Sequence, residues 1–353
     1  MSANSLRSGS RASRGFRVVA IGGGTGLSTL LKGLKHFTVA PGEAVPDGAY
    51  ISELTAVVTV SDDGGSSGRL RRELNILPPG DIRNCLVAVS EDENLLSKLF
   101  QHRFSAGGLE GHSFGNLFLA ALTAVSGDFA LAVRQASEIL ATRGHILPAT
   151  SANVQLEALM DDGSSVLGET QITASERRIV ELRMLPESPA PLPETLAAIA
   201  EADLITLGPG SLFTSLVPNL LVRGIPEAIA HSQAVKVFVS NLMTEANESL
   251  AMKASDHVRA LLAHAGQRIF DYALVNTMPV SSAMKQRYAE ELAEQVECDA
   301  RAVESLGVRC LTGNFIEEHE VVRHAADRVC RELLRLAETG VEQLPTVKGQ
   351  GIR

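Results

Sequence analysis

Apolar residues along this chain fall into two alternating patterns. Short runs rich in Val, Ile and Leu give way to longer stretches in which apolar residues return at helical spacing. Residues 16–21 (FRVVAI) form the first run, followed by GGGTG and then by Leu27, Leu30, Leu31 and Leu34. That order predicts strand, turn and helix. Residues 54–60 (LTAVVTV) repeat the strand signal and lead into SDDGGSSG. Further strands are predicted at 202–207 (ADLITL) before GPGS, at 235–239 before Ser240 and Asn241, and at 272–275 before Asn276. Asp81 is placed to cap a helix carrying Ile82, Leu86 and Val89, and Ser113 to cap one running through Leu117 to Val125. Strands alternating with helices over most of the chain predict an α/β class: a doubly wound, mostly parallel, Rossmann-like sheet in three layers.

The rhythm changes between residues 153 and 185, where alternating runs flank DDGSS at 161–165. This predicts a β-hairpin insertion, an inserted β subdomain over about residues 150–190 that ends in a proline cluster. Two amphipathic helices are expected near 283–297 and 317–338. The organisation expected is a disordered tail over residues 1–14, one α/β ligand-binding domain over 15–340, and a mobile tail over 341–353.

The strongest local chemistry is Gly22, Gly23, Gly24, Thr25 and Gly26 between a strand and a helix. Backbone amides at a helix start bind anions only where no Cβ blocks the approach, so this turn is a phosphate cradle by type. Neither GxGxxG nor GxxxxGK[ST] is present, which removes the dinucleotide fingerprint and the P-loop. Gly208, Pro209, Gly210 and Ser211 form a second turn of the same kind. Two such turns at the carboxyl ends of parallel strands suit two phosphates or one diphosphate. Asp62 and Asp63 close the second strand, where carboxylates serve ribose hydroxyls or a hard divalent ion such as Mg²⁺. Asp81, Arg83 and Asn84 follow, with the guanidinium suited to a phosphate.

Residues 111–115 (GHSFG) match GxSxG literally. A nucleophile elbow needs a strand running straight into the serine, and SAGGLE is a glycine-containing loop, so a hydrolase is set aside. His112, Ser113 and Asn116 are read instead as ligand-facing residues around a helix start, and Asn241 as an amide at a strand end. Tyr288 and Arg323 are candidate stacking and diphosphate partners, although Tyr on an amphipathic helix is ordinarily core.

Charge narrows the ligand class. Lys plus Arg number 32 against 41 Asp plus Glu, a net −9, which argues against polyanions such as nucleic acid and makes any phosphate site local. Trp is absent and aromatics are only 4%, leaving no base-stacking platform. Gly, Pro or charge interrupts every apolar stretch before the eighteen or so residues a membrane helix needs. Cys85, Cys298, Cys310 and Cys330 are widely spaced, so neither a zinc cluster nor a disulfide framework is expected, and a reducing cytoplasm fits. A homodimer is the default assembly. No protein partner is named by any motif.

The blocks VVAIGGGTGLSTLLKGLK, VVTVSDDGGSSGRLR, LPPGDIRNCL, GHSFGNL, ADLITLGPGSLFTSLVPNLLV and NLMTEANES together resemble the bacterial gluconeogenesis factor family, a relative of 2-phospho-L-lactate transferase. The resemblance runs in order from about Phe16 to beyond Arg323. It implies a doubly wound fold, a cytosolic location, UDP-sugar binding and a role in cell shape and wall metabolism on gluconeogenic carbon. It also implies that the GGGTG, SDDGG, GHSFGN and GPGS blocks line the ligand cleft, with Tyr288 and Arg323 as nucleotide contacts. The transferase relatives use a divalent metal near aspartates to move a phospholactyl group, so the alternative implied is a metal-dependent transferase.

Overall fold

The computed structural model describes residues 14–40, 42–91 and 95–340; the terminal segments 1–13 and 341–353, which hold most of both expected tails, lie outside the described residues. The first strand, β1 (Arg14–Gly22), runs into helix α1 (Gly24–Lys35), and β2 (Ala49–Val58) into α2 (Gly65–Leu74) and α3 (Gly80–Val89). Three helices, α4 (Leu95–Gln101), α5 (Phe114–Ser126) and α6 (Phe129–Ile139), lead to β3 (His145–Pro148). After the insertion, α8 (Pro193–Glu201) precedes β7 (Leu204–Leu207), a π-helical turn (Leu212–Leu216), α9 (Val217–Leu220) and α10 (Ile225–His231). Then come β8 (Val235–Val239), α11 (Ala254–Ala265), β9 (Tyr272–Asn276), α12 (Ser282–Glu290), α13 (Ala300–Ser305) and β10 (Arg309–Gly313). A hairpin, β11 (Ile316–Glu318) and β12 (Val322–His324), and α14 (Ala326–Thr339) complete the order.

The central sheet has seven strands in the order β10-β9-β8-β7-β1-β2-β3, every pair parallel. The chain starts in the middle at β1, winds outward to β3, returns to β7 beside β1, and winds outward the other way. Strand order therefore reverses between β1 and β7. At such a switch point the two connecting loops diverge to opposite faces and leave a crevice at the carboxyl edge. The expected doubly wound class is what the chain adopts. β1 and β7 are nearly continuous in buried apolar residues, as strands covered on both faces must be. Helix α1 packs against α3 and α14 and buries Leu27, Leu30, Leu31 and Leu34.

Several expected boundaries moved, each for a local reason. Arg14 belongs to β1 rather than to a tail: it pairs with Ala49, and its guanidinium sits 4.8 Å from the Phe16 ring centroid. β2 begins before residue 54 because a register shift opposite Phe16 and Arg17 leaves Ser52 and Glu53 exposed, which hides the strand's start in the polar pattern. The insertion is a three-stranded antiparallel sheet rather than a hairpin, with β4 (Gln155–Met160) between β5 (Ser165–Leu167) and β6 (Ile179–Leu185), and a short α7 (Glu169–Thr173). α12 stops at Glu290, short of residue 297, and Leu292 stands at φ +54°, a left-handed turn that a helix cannot pass through. Residues 317–324, expected as the start of the last helix, instead belong to the β11-β12 hairpin, whose Val322 N–H donates to the Tyr288 hydroxyl at 3.1 Å.

No helix among the described residues is long and apolar enough to cross a membrane. The architecture depends on α1 seating against the sheet, and Leu31 within it is fully buried. Leu31→Ala is expected to cost about 2–5 kcal/mol of folding stability through lost burial and the residual cavity, read from the midpoint of urea denaturation.

Candidate functional site

The two glycine turns meet at the switch point. A Cβ built on Gly26 would stand 2.4 Å from the Pro209 carbonyl oxygen and 2.9 Å from Gly210 Cα, so the first turn of α1 lies directly on the second turn's backbone. Only glycine permits that approach. Gly23 is as crowded: a Cβ there would meet Thr59 Cγ2 at 2.7 Å and Asp81 Oδ2 at 2.9 Å. Gly24 stands at φ +62°, so Gly24→Val would strain the backbone itself as well as obstruct a ligand.

The two turns then differ in what their amides are doing. At the start of α1 the Gly24 N–H donates to Asp81 Oδ2 at 2.8 Å, while the N–H groups of Thr25 and Gly26 find no acceptor among the described residues. In the second turn the amides of Phe213 and Thr214 donate to Glu248 Oε2 at 3.0 and 3.3 Å, and the Thr214 hydroxyl to Glu248 Oε1 at 2.6 Å. The Gly210 N–H donates to Asn241 Oδ1 at 3.3 Å. A carboxylate of the protein thus occupies the place that a second phosphate was expected to take. The first turn offers free amides; the second supplies close packing. Asp81 was expected to cap its own helix; instead Pro79 is the cap residue, and the Asp81 carboxylate reaches across to α1. Its partial burial raises its pKa to about 6.

A cleft of about 550 Å³ opens over these turns. Gly24, Thr25, Gly26, Gly210, Ser211 and Asn241, which we take as its floor, line it together with a wall that carries Tyr288 and Arg323. That wall is built by α12 and the β11-β12 hairpin, which share a small apolar cluster of their own around Leu242, Val280, Ile316 and Val322. The Arg323 side chain is exposed, and its guanidinium has neither hydrogen bond nor ion pair to any described residue. Sequence reasoning attached no chemistry to Thr173, Ser215, Glu245, Asn247, Glu248 or His324, which also line the cleft. The TEANES run follows a strand end on the same edge, the same signal that singled out Asn241. Glu245 accepts from the Ser211 hydroxyl at 3.1 Å, and burial raises the pKa of both Glu245 and Glu248.

The remaining expected site residues lie elsewhere. Gly22 ends β1 and Gly208 sits behind the turn, its would-be Cβ 2.8 Å from the Val239 carbonyl oxygen. Asp62, Asp63 and Asp81 form an acidic strip with Glu169 of α7, faced by Arg71. Asp62 Oδ1 accepts from the Gly64 N–H at 2.8 Å, and Asp63 Oδ1 from the Thr170 N–H and hydroxyl at 2.9 and 2.6 Å. Glu169 Oε2 is buried without a partner, and burial together with Asp62, Asp81 and Asp63 pushes its pKa up to about 9. No group of three Asp, Glu, His or Cys side chains among the described residues is arranged to hold a metal ion. Arg83, Asn84, His112, Ser113 and Asn116 form a separate cluster, in which Ser113 caps α5 as expected, accepting from the Asn116 N–H at 3.2 Å.

This arrangement has known relatives. Residues 18–316 match the family model described as 2-phospho-L-lactate transferase CofD. The chain is 48% identical to the gluconeogenesis factor of Halalkalibacterium halodurans, over 90% of this chain and 95% of the relative. It is 46% identical to that of Bacillus subtilis, over 91% and 98%. A crystal structure of a member of the upf0052 family from Bacillus halodurans superposes with a TM-score of 0.85 at 47% identity, covering 91% of this chain and 99% of that one. The chain belongs to the gluconeogenesis factors, within the 2-phospho-L-lactate transferase CofD family. Membership in the gluconeogenesis factors agrees with the blocks that first suggested it; of the four expected to line the cleft, GGGTG and GPGS do so, whereas SDDGG and GHSFGN lie outside it.

The acidic strip gives a pH signature. Folded Glu169 holds its proton up to about pH 9, whereas its ordinary value is 4.5. Between those limits the folded chain carries a proton that the unfolded chain has released, so stability falls as pH rises through that window. Glu169→Gln is expected to flatten this slope in melting temperature measured between about pH 4.5 and 9. Identical slopes in the two proteins would show that Glu169 does not hold that proton.

Proposed function

We propose that this chain binds a UDP-sugar, UDP-N-acetylglucosamine or UDP-glucose, in the cleft at the β1/β7 switch point and acts as a cytoplasmic regulatory binding protein. One observation carries the reading: Thr25 and Gly26, whose amides have no acceptor among the described residues, line the same cleft as Tyr288 and the unpaired guanidinium of Arg323. A diphosphate anion placed on the amides at the start of α1 gains their hydrogen bonds and the helix dipole. Arg323 supplies the counter-charge, and the half-buried Tyr288 ring offers an apolar face to a uracil or sugar. Within the family this function points to control of cell shape and wall metabolism on gluconeogenic carbon, with the bound sugar as the signal. A homodimer is the assembly we propose for it.

Calorimetric titration with UDP-N-acetylglucosamine and UDP-glucose tests the reading. Binding by the native protein is expected, and Arg323→Ala should weaken it about 10- to 100-fold, the loss of a charged hydrogen-bonding partner. Absence of heat with both ligands at millimolar concentration would refute it.

A second reading, a metal-dependent transferase of the 2-phospho-L-lactate type, is favoured by one observation, the strip of Asp62, Asp63, Asp81 and Glu169 beside the cleft. Its all-oxygen chemistry suits Mg²⁺ completed by ligand phosphates, since the described side chains do not by themselves form a three-ligand set. Magnesium-dependent release of guanosine monophosphate from a guanosine-diphosphate donor would support it over a purely regulatory role.

A further inference from the structure

Outside the cleft, three guanidinium groups converge on four consecutive residues of the loop before α5. Arg69 of α2 donates to the Glu110 carbonyl at 3.0 Å, Arg103 to the Gly111 carbonyl at 2.5 Å, and Arg83 of α3 to the Ser113 hydroxyl at 2.6 Å. They come from three separate parts of the chain, so the fold gathers like charges at a cost in repulsion. In a chain of net charge −9, none of the three has a carboxylate within ion-pair distance among the described residues.

Their hydrogen-bonding capacity is also unspent. A guanidinium has five N–H donors. Arg69 and Arg103 each use one on the loop, and Arg83 uses two, the second on Asn84 Oδ1 at 2.6 Å. The Nε atoms of Arg69 and Arg83 are buried with no acceptor. Leaving such donors unmet costs free energy unless something else meets them. The Arg83 stem is held in place by Gly115, where a Cβ would stand 2.8 Å from its Cγ.

His112 adds a neutral donor at the same place. Its ring is buried, and burial with Arg69 and Arg103 lowers its pKa, so it stays uncharged. Ser66 accepts from Asn116 Nδ2 at 3.2 Å and lies 3.0 Å from His112 Nδ1. With Ser66 donating to Nδ1, we assign the ring proton to Nε2. The Ser113 oxygen, which accepts from Arg83 and from the Asn116 N–H, keeps its own proton to donate.

We propose that Arg69, Arg83, Arg103, His112 and Ser113 form a second anion site, separate from the cleft, for a tetrahedral oxyanion: inorganic phosphate or the phosphate group of a phosphomonoester. Three planar guanidinium forks with spare N–H donors, beside an imidazole N–H and a hydroxyl, fit a dianionic group bearing several oxygens. None of the five residues lines the cleft, and the acidic strip stands at the Arg83 side of the cluster. The site does not depend on the nucleotide-sugar reading.

The test is calorimetric titration of inorganic phosphate into the full chain at ionic strength held constant with chloride, with and without saturating UDP-N-acetylglucosamine. Phosphate is expected to bind the native protein, and to bind Arg103→Gln and Arg69→Gln at least about tenfold more weakly, the scale of one lost charged donor. Arg103 is exposed, so its variant should melt as the native protein does. UDP-N-acetylglucosamine affinity is expected to be unchanged in both variants. The proposal is overturned if phosphate does not bind at millimolar concentration, if both variants bind it as the native protein does, or if the nucleotide-sugar displaces it. If the nucleotide-sugar itself fails to bind, the two variants still decide the phosphate site.

Discussion

The close approach of Gly26 to the Pro209 carbonyl is the constraint on which the site rests. It brings the start of α1 against the loop after β7, and it is possible only because these two strands are neighbours at the reversal of strand order. Everything that a ligand would meet on the cleft floor follows from that contact. Moving the loop outward by a methyl group would separate Gly24, Thr25 and Gly26 from Gly210 and Ser211, and the floor would no longer be continuous.

A protein this acidic has to manage negative charge wherever it wants to hold an anion. It does so by using its own carboxylates as internal anions. Asp81 takes the Gly24 amide and Glu248 takes the amides of Phe213 and Thr214, so both turns are locked before any ligand arrives. The desolvation of these groups raises their pKa, which is the energetic cost of holding the loops rigid. What remains for a ligand is a small set of free amides and an unpaired arginine on a separate wall. That wall is tied by Tyr288 and Val322 to its own apolar cluster and not to the main core.

Charge is also sorted along the carboxyl edge of the sheet. The polar cleft lies over β1, β7 and β8; beside it runs the strip of Asp62, Asp63, Asp81 and Glu169; beyond that the guanidinium groups of Arg69, Arg83 and Arg103 gather on one loop. Asp62, Asp63 and Asp81 alternate along the same stretch of chain with Arg69 and Arg83, and the fold turns the two charge types to different sides.

The fold class was legible because it depends on local, repeated information: buried runs such as 204–207 and helical spacing such as Leu27, Leu30, Leu31 and Leu34 mean the same thing wherever they occur. The glycine turns were legible for the same reason, since a glycine run between strand and helix has few structural uses. The sequence by itself therefore determined a parallel α/β sheet with GGGTG and GPGS at strand ends. It did not determine that Asp81 would leave its own helix to cap α1, that Glu248 would occupy the second turn, or that residues 316–324 would pair as a hairpin beneath Tyr288. The first two depend on partners 34 or more residues away, Glu248 meeting Thr214 and Asp81 meeting Gly24 across 57, and the hairpin, although it pairs locally, is seated by the Tyr288 hydroxyl 34 residues from Val322. Hydrogen bonds of that range form only after topology has brought the groups together, because a local pattern carries no information about which distant donor will be left unpaired.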